Sequence, residues 1–479
     1  MATKKTLNAA NLEALGAPRL AELLIEISTG SAAAKRRLRL ELAGAQSPGE
    51  VAREVRKRLG SIARSRTFVD WQKRKALVED LELQKRAIVE RVAKDDPHEA
   101  LELMWQFMAT ADPVLDRCDD SNGLIGGIFR TACHELGELA TAAKIDPVTL
   151  ADRAFSALQD NGYGVFDDLI AVLAPALGKV GLDHLKGRFV ALASEPVEQP
   201  KGERRVIGWG ASGPLYADQV AASARDRAVR YALMQIADAQ GDVDAFISQY
   251  DEETRKVPKI AAEISRRLLA SGCAKEALQT IEATVHRRGG WDWPDFEWED
   301  ARIEVLEALG RTDDAQAARW SCFERSLSAS HLRAFLKRLP DFDDMEAEER
   351  ALEYAESRKS VLTALSFLVG WPALDRAAKL VLNRADQIDG DHYEIMTPAA
   401  EKLAGKHPLA ATLLLRAMID FSLTQARSTR YRHAARHLME CESLASSIED
   451  FASFETHEAY ANRLKREHGR KSSFWSSTA

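Results

Sequence analysis

Cysteine is scarce in this chain, and its spacing excludes the common uses of paired cysteines. The five cysteines are Cys118, Cys133, Cys273, Cys322 and Cys441, and no two of them form a C-x-x-C pair. An odd number of widely separated cysteines indicates neither a disulfide framework nor a zinc finger. We therefore predict free thiols that are buried in apolar surroundings.

Long apolar runs are also missing from the sequence. The nearest candidate for a membrane span, residues 365–374, falls well short of the ~20 residues that cross a bilayer. The first residues do not resemble a secretory signal peptide, because Glu13, Glu22 and Glu26 interrupt the apolar stretch. These features predict a cytoplasmic protein with no membrane partner.

Motifs for catalysis and for cofactor binding are missing as well. The sequence has no phosphate-binding Walker loop and no G-x-S-x-G nucleophile elbow. Gly208, Gly210 and Gly213 match G-x-G-x-x-G, but Pro214 follows directly and residues 217–240 have the pattern of one helix with no second strand. We therefore predict a loop at this motif, no cofactor, and a protein that is not an enzyme.

Helix signals fill most of the remaining sequence. Ala, Leu, Glu and Arg dominate long stretches, as helices prefer. Asp96–Pro97 and Asp146–Pro147 each place a capping carboxylate before a proline at the first helical position, and His407–Pro408 resembles them with a weaker cap. Because strand signals are rare, we predict an all-α fold.

A repeated glycine turn organises the second half of the chain. Gly241, Gly272 and Gly310 each stand at the end of one helical pattern just before another, with spacings of 31 and 38 residues. These spacings bracket the ~34-residue period of tetratricopeptide (TPR) helix pairs. Ala277 and Ala315 follow the second and third glycines by five residues, as expected for small residues where two helices cross. Stacked helical hairpins form an α-solenoid, which is the architecture that we predict.

The predicted domain organisation follows from where this pattern changes. Residues 191–216 are rich in proline and glycine and lack a helical period, which is typical of a linker or an exposed loop. Before them, residues 1–190 resemble the larger hairpins of HEAT repeats. After them, residues 217–470 form the TPR-like array, and residues 471–479 are a C-terminal tail.

The stretch RYRHAARHLMEC, residues 430–441, carries the first candidate site. On a helix that turns ~100° per residue, His433 and His437 lie on the more polar side and suggest a metal site. Cys441, however, lies about 12 Å along the axis from His433, too far to share a zinc ion, and the glutamate of H-E-x-x-H is missing. We predict instead that this surface binds an acidic peptide or a phosphate, and the alternative is a solvated face. The candidate residues are Arg427, Arg430, Arg432, His433, Arg436 and His437.

The stretch WDWPDFEWED, residues 291–300, carries a second candidate. Its aromatic rings could grip a peptide, and its carboxylates could select a basic one. The candidate partner-binding residues here are Trp291, Trp293 and Trp298. The alternative is that these rings fill the junction between two helix pairs.

A strongly basic segment lies near the start of the chain. Residues 35–75 contain thirteen Lys and Arg against four Asp and Glu, a net charge of +9, whereas the whole chain carries -7. Val51, Val55, Leu59 and Ile62 mark an apolar helical stripe with cationic residues largely opposite. Such a face could follow a phosphate backbone, and the alternative is a solvated face that pairs with the acidic remainder of the chain. The candidate nucleic-acid-binding residues are Arg36, Arg37, Arg53, Arg56, Lys57 and Arg64.

Long blocks of the sequence resemble a known family. The blocks FLVGWPALDRAAKLVLNRA, HPLAATLLLRAMIDFSLTQARSTRYRHAARHLMEC and HGRKSSFW are similar to an uncharacterised bacterial family of helical-repeat proteins, a domain of unknown function. DDSNGLIGGIFRTACHELGELA and DNGYGVFDDLIAVLAPALG fit the same family and also resemble the helical region after the zinc finger of some SWIM-type proteins. The zinc-finger residues themselves are missing here. The resemblance therefore implies helical repeats and transfers no activity, cofactor or catalytic residue.

Three functions from different classes follow, and we rank them in this order. The first is a non-catalytic scaffold that binds a protein or peptide partner, because a helical array presents many side chains on one face. The second is a nucleic-acid-binding protein that uses residues 35–75. The third is a metal-dependent enzyme that uses His433 and His437.

Overall fold

The structure is a computed structural model that describes residues 6–196, 205–210, 213–284 and 295–477. Contacts between Cα atoms divide the chain into two compact units, Met1–Asp251 and Glu252–Ala479. Helices dominate both units, and one two-stranded hairpin is the only sheet in the described ranges. The predicted all-α fold is confirmed. The predicted domain limits at residues 190, 216 and 470 stay a prediction.

The first unit is built mainly from helices of very different length. In chain order its elements are α1 Ala9–Glu13, α2 Ala17–Ser28, α3 Ala32–Gln46, α4 Pro48–Arg64, α5 Arg74–Ala87, a π-helical turn Ile88–Val92, α6 Ala93–Asp95, α7 Pro97–Met108, α8 Ala111–Leu115, α9 Leu124–Ala143, α10 Pro147–Gln159, α11 Leu169–Ser194, β1 Val206–Gly210, β2 Gly213–Tyr216, α12 Ala217–Gln240 and α13 Val243–Ile247.

The apolar stripe of α4 shows how the core of this unit forms. Val51, Val55, Leu59 and Ile62 are at most 2% exposed, as their helical spacing predicts. They pack into a continuous core that extends from α3 to α12, because α4 contacts α3, α5 and α7. Burial of each such side chain contributes about 1.5–3 kcal/mol, so this stripe fixes which face of α4 points to solvent.

The glycine-rich stretch before α12 forms a short antiparallel hairpin. Trp209 of β1 pairs with Pro214 of β2, and Gly208 pairs with Leu215. Valine, isoleucine and tryptophan in β1 favour the extended conformation. Gly208 and Gly210 therefore lie within a strand and not at the start of a helix, so the G-x-G-x-x-G match is not a dinucleotide-binding loop.

The second unit continues the helical pattern. In chain order its elements are α14 Glu252–Arg255, α15 Pro258–Ala270, α16 Ala274–Glu282, α17 Phe296–Ala308, α18 Thr312–Ser326, α19 Ala329–Leu336, α20 Asp343–Ser357, α21 Val361–Gly370, α22 Leu374–Asn383, a 3₁₀ turn Ala385–Gln387, α23 Tyr393–Leu403, α24 Pro408–Thr424, a 3₁₀ turn Ser428–Arg430, α25 Tyr431–Ala445, α26 His457–His468 and α27 Ser472–Trp475.

The predicted helix starts are confirmed in both units. The Asp96 carboxylate accepts a hydrogen bond from Glu99 N at 2.9 Å, at the start of α7. The Asp146 carboxylate accepts one from Thr149 N at 2.8 Å, at the start of α10. His407 precedes α24 and makes no side-chain capping hydrogen bond. A carboxylate that satisfies a free N–H stabilises a helix start by about 1 kcal/mol.

The repeated glycine turn is also confirmed. Gly241, Gly272 and Gly310 have φ of 66°, 80° and 71°, the left-handed conformation that ends helices. The same hydrogen bond, from the residue after the glycine to a carbonyl five residues earlier, closes each turn. These bonds are Asp242 N to Ala237 O at 2.9 Å, Cys273 N to Leu268 O at 2.8 Å, and Arg311 N to Leu306 O at 2.9 Å. Ala277 and Ala315 are fully buried, as predicted for residues at helix crossings.

The five cysteines are free thiols. Cys133, Cys322 and Cys441 are buried, and Cys118 and Cys273 are partly exposed. Burial raises the pKa of the Cys441 thiol to about 12, so this thiol stays protonated at neutral pH. No helix in the described ranges has the length and apolar composition to cross a membrane.

Candidate functional site

The second unit holds a cavity between three helices. α24 contacts both α23 and α25, and the 3₁₀ turn Ser428–Arg430 joins α24 to α25. The buried face of α25, which includes Ala434, Ala435 and Cys441, holds this helix in the core. Its adjoining edge therefore points toward the start of α23.

This cavity has a volume of about 470 Å³ and mixed chemistry. We call it the α23–α25 cavity. Its size lies in the range of small-ligand pockets, ~300–1,000 Å³. The lining residues are Gly390, Tyr393, Glu394, Thr397, Pro398, Met418, Ser422, Thr429, Arg430, His433, Ala434, Arg436 and His437.

Arg430 is fixed in place at the rim of the cavity. Its Nη1 donates a hydrogen bond to Asp391 Oδ1 at 2.7 Å. The guanidinium carbon lies 4.9 Å from the centre of the Tyr393 ring and 5.7 Å from that of Phe421. Hydrogen bonding and stacking together orient a planar guanidinium, so its remaining N–H groups can bind an anion without reorganisation.

His437 is buried, although helical spacing places it on the polar side of α25. It is 6% exposed, because α24 packs along this edge of α25. Its Nδ1 is buried without a hydrogen-bond partner in the described residues and lies 3.7 Å from Glu440 Oε2. Burial, with smaller effects of Arg436 and His433, lowers the pKa of His437 to about 4. The side chain is therefore neutral at pH 7 and offers a hydrogen-bonding group without a charge.

Arg436 and His433 provide the exposed polar groups of the cavity. Both are solvent-exposed residues of α25 that also line the cavity. No ion pair of the described residues involves Arg436 or His433, in contrast to Arg430 with Asp391. Their donors are therefore available to a ligand.

The opposite wall of the cavity comes from α23 and α24. Pro398 lies inside α23 and has no N–H, so the Glu394 carbonyl receives no helical hydrogen bond from that position. Thr397 donates a hydrogen bond to the Met418 sulfur at 3.6 Å. This wall thus offers a main-chain acceptor next to a soft apolar surface.

One cavity brings together four of the six candidate residues from this region. Arg430, His433, Arg436 and His437 line it together. Arg427 and Arg432 are exposed and do not line it. Helical spacing within α25 did not reveal Tyr393, Thr397 and Met418, because these residues come from two other helices.

Metal-binding geometry is not seen in the described part of the chain. No group of three or more His, Cys, Asp or Glu side chains is arranged there to hold a metal ion. The described residues thus give no positive sign of metal-dependent catalysis.

The tryptophan cluster is only partly described. Trp291 and Trp293 lie outside the described residues. Trp298 is half-buried and packs against Ala262, Ile281 and Ala301, from α15, α16 and α17. For Trp298, this position matches the alternative that the ring fills a junction between helices.

The candidate nucleic-acid-binding residues fall into three pairs that differ in their surroundings. Arg53 pairs with Glu50, and Arg56 pairs with Glu99. Arg37 and Arg64 are exposed and line no described cavity.

Arg36 and Lys57 lie together in one cavity between α3 and α4. Lys35, Arg39 and Arg58 line the same cavity, and the sequence analysis did not single them out as binding residues. Their shared position depends on how α3 crosses α4, which no local motif reports.

Comparisons with known proteins add one family match. The model described as "Family of unknown function (DUF6880)" matches residues 2–477, nearly the whole chain. The search of curated proteins finds no match to this chain.

Proposed function

Since the chain belongs to the DUF6880 family, whose function is unknown, its own geometry must suggest a function, and we propose a non-catalytic binding protein. In this proposal the α23–α25 cavity captures an acidic group of a protein or peptide partner. The helical hairpins serve as the scaffold that presents the cavity. The observation that carries the proposal is that Arg430, His433, Arg436 and His437 line one cavity together.

Charge complementarity supports an acidic ligand group. Arg436 has no ion-pair partner in the described residues, and Arg430 is held by Asp391 at one nitrogen only. A hydrogen bond between a charged donor and a carboxylate or phosphate contributes ~1.5–3 kcal/mol when it is shielded from water. Arg430 and Arg436 in the lining of one cavity therefore favour a ligand that carries an acidic group.

The remaining lining supports a peptide as the carrier of that group. The Glu394 carbonyl can accept a main-chain N–H, since Pro398 does not use it. Met418 and the half-exposed Tyr393 ring can contact an aliphatic or aromatic neighbour of the acidic residue. Glu394 also lines the cavity, and its carboxylate oxygen lies 3.3 Å from His392 Nδ1.

A reducing compartment fits this proposal. All five cysteines are free thiols, as is usual for proteins of the cytoplasm. We infer a cytoplasmic protein whose partner is another protein.

Affinity capture with matched variants tests the proposal. The tagged full-length chain is used as bait in its native cell extract at two salt concentrations, with and without nuclease. Arg436→Ala removes a cation that lines the cavity, and Arg432→Ala removes an exposed cation of the same helix that does not line it. We expect a salt-resistant, nuclease-insensitive partner with the wild type and with Arg432→Ala.

The affinity for the captured partner is then measured by calorimetry. Loss of Arg436 should weaken binding about tenfold, which corresponds to ~1.4 kcal/mol. Equal binding by both variants would show that the cavity is not the binding site. Capture of nucleic acid alone, lost after nuclease treatment, would contradict the proposal as a whole.

A further inference from the structure

A basic groove lies in the first unit, whereas the α23–α25 cavity belongs to the second unit. Two cavities, of about 320 and 260 Å³, share the lining residues Arg36, Arg58 and Ser61 and therefore lie side by side, and we treat them together as one groove. Their lining residues come from α3, α4, α5 and the segment before α5. The cations that line it, which define the basic groove, are Lys35, Arg36, Arg39, Lys57, Arg58 and Arg117.

A buried carboxylate organises the middle of the basic groove. Asp80 is 5% exposed and accepts hydrogen bonds from Arg58, with Nε at 2.8 Å, and from Gln84 at 3.3 Å. Arg36 Nη2 lies 3.5 Å from the same carboxylate. Two guanidinium groups thus share one negative charge, so the groove centre keeps an excess positive charge in a fixed position.

One end of the basic groove holds cations without partners. Lys35, Arg39 and Lys57 form no ion pair within the described residues. Glu54 is the only acidic residue among the described lining of this cavity. Charges of one sign that face a shared cavity repel one another, and a bound anion removes that repulsion.

The other end of the groove contains an unsatisfied donor. Arg117 donates from Nη1 to the Thr67 carbonyl at 3.1 Å. Its Nε is buried and has no hydrogen-bond partner among the described residues. Arg117 thus adds a positive charge to this end of the groove, and its Nε–H is not satisfied within the described residues.

Two exposed aromatic rings stand beside this second end. Phe68 is 61% exposed and lies between Thr67 and Val69, which both line the cavity. Trp71 is 67% exposed and lies two residues after Val69. Large exposed rings next to a cationic groove are the elements with which proteins stack the bases of single strands.

We infer that the basic groove binds the phosphodiester backbone of a single-stranded nucleic acid, with Phe68 and Trp71 stacking on its bases. Phosphate oxygens occupy the cluster of Lys35, Arg39 and Lys57 and extend past Arg36 and Arg58 toward Arg117. The exposed rings favour a single strand over a duplex, because only unpaired bases are free to stack on them. The aromatic rings favour a nucleic acid over an acidic peptide.

Fluorescence anisotropy with labelled oligonucleotides tests this inference on the full-length protein. The probes are oligouridine and oligodeoxythymidine of about 12 nucleotides, a length within the site sizes of single-strand-binding proteins. A duplex of equal length, tripolyphosphate and a polyglutamate peptide serve as competitors. Binding is measured at several salt concentrations.

Two double variants with equal charge change provide the control. Arg39→Ala with Lys57→Ala removes two groove cations from α3 and α4. Arg37→Ala with Arg64→Ala removes two exposed cations from the same helices outside the groove. We expect the groove variant to bind at least about tenfold more weakly than the wild type. The slope of its log affinity against log salt concentration should fall by about one or more. The control variant should change affinity by less than about twofold.

The aromatic part of the inference has its own variants. Trp71→Ala should weaken single-strand binding about fivefold or more, whereas Trp71→Phe should retain most of it. Equal loss in both double variants would overturn the groove assignment, since diffuse charge would then explain binding. Equal or tighter binding of the duplex, equal competition by polyglutamate, or binding of tripolyphosphate without oligonucleotide binding would overturn the single-stranded ligand.

Discussion

At the residue scale, two histidines one helical turn apart illustrate how packing sets chemistry. His433 is exposed, and His437 is 6% exposed beside α24. Burial lowers the pKa of His437 to about 4, from an ordinary value of 6.5. His437 is thus held neutral, because a charge on its ring would be buried away from water.

The pKa of His437 predicts a pH dependence of stability. Above pH 6.5 the residue is neutral in both the folded and the unfolded chain. As the pH falls from 6.5 to about 4, the unfolded chain binds a proton that the folded chain does not, so the free energy of unfolding decreases. The expected loss is on the order of 3 kcal/mol.

Hydrogen exchange of the peptides from α24 and α25 at pH 7 and pH 4.5 measures this loss. His437→Gln, which cannot titrate, should show a clearly smaller decrease than the wild type. His433→Gln should behave like the wild type and is the control. If the unfolding free energy of His437→Gln decreased as much as that of the wild type, His437 would not be the group responsible.

Asp80 gives a second prediction at the residue scale. Its buried carboxylate holds Arg58 and Gln84 and faces Arg36. Asp80→Ala leaves Arg36 and Arg58 close together without their counter-ion, so we expect a loss of about 3–5 kcal/mol in unfolding free energy. Urea unfolding measures it. Glu50→Ala, which removes the partner of the exposed Arg53, should change stability by less than about 1 kcal/mol.

At the element scale, the crossing of α9 and α11 depends on one missing side chain. A Cβ atom at Gly137 of α9 would lie 2.3 Å from the Val172 carbonyl oxygen of α11. The two helices therefore approach at this point more closely than any other residue allows. The buried residues around it belong to the continuous core of the first unit.

The glycine at this crossing gives a prediction. Gly137→Ala forces α9 and α11 apart, and we expect a destabilisation of at least about 2 kcal/mol in thermal or urea unfolding. Gly187→Ala on α11 meets nothing within 4 Å and is the control. It should stabilise the helix by up to about 1 kcal/mol, because alanine has the higher helix propensity. Equal effects of the two substitutions would show that the crossing tolerates a methyl group.

At the scale of the whole molecule, the two proposed binding surfaces lie in different compact units. The basic groove belongs to Met1–Asp251, and the α23–α25 cavity belongs to Glu252–Ala479. Both are cationic in a chain whose net charge is -7, so the positive charge is concentrated locally. Attraction of anionic ligands thus arises from these local clusters and not from the overall charge.

This separation predicts independent loss of the two activities. Arg436→Ala should weaken capture of the peptide partner and leave oligonucleotide affinity within about twofold of the wild type, because sites that share no residues usually contribute additively. Arg39→Ala with Lys57→Ala should do the reverse. Anisotropy and calorimetry test this independence on four preparations: the wild type, Arg436→Ala, the groove double variant and the variant that combines all three substitutions. Loss of both activities in a single-site variant would argue for one shared ligand.

Most helix starts and ends discussed above were predictable from residues that are close together in the sequence. Asp96 and Asp146 cap helices as expected, because a carboxylate before proline satisfies an N–H that lies within three residues. Gly272 and Gly310 end helices for a reason that is equally local, the low cost of positive φ in glycine. The hairpin at Val206–Tyr216 was not predicted, since its strands are short and a loop was expected at the glycine motif.

The candidate sites were predictable only where one helix supplied the residues. Spacing on α25 placed His433 and Arg436 on one side, and both line the cavity. It did not show that α24 covers His437, or that Tyr393 and Met418 complete the wall. The charge count of residues 35–75 also did not distinguish the cations that line the basic groove from Arg53 and Arg56, which are paired with carboxylates.

The sequence by itself determined the all-α class, the helix caps, the glycine turns and the family, because each depends on residues that are close in the chain or on its overall pattern. Tertiary structure decided which cations converge, which histidine is neutral, and where a cavity remains open. Those properties depend on helices that cross far apart in sequence, and their dielectric surroundings and neighbours exist only once the core has packed.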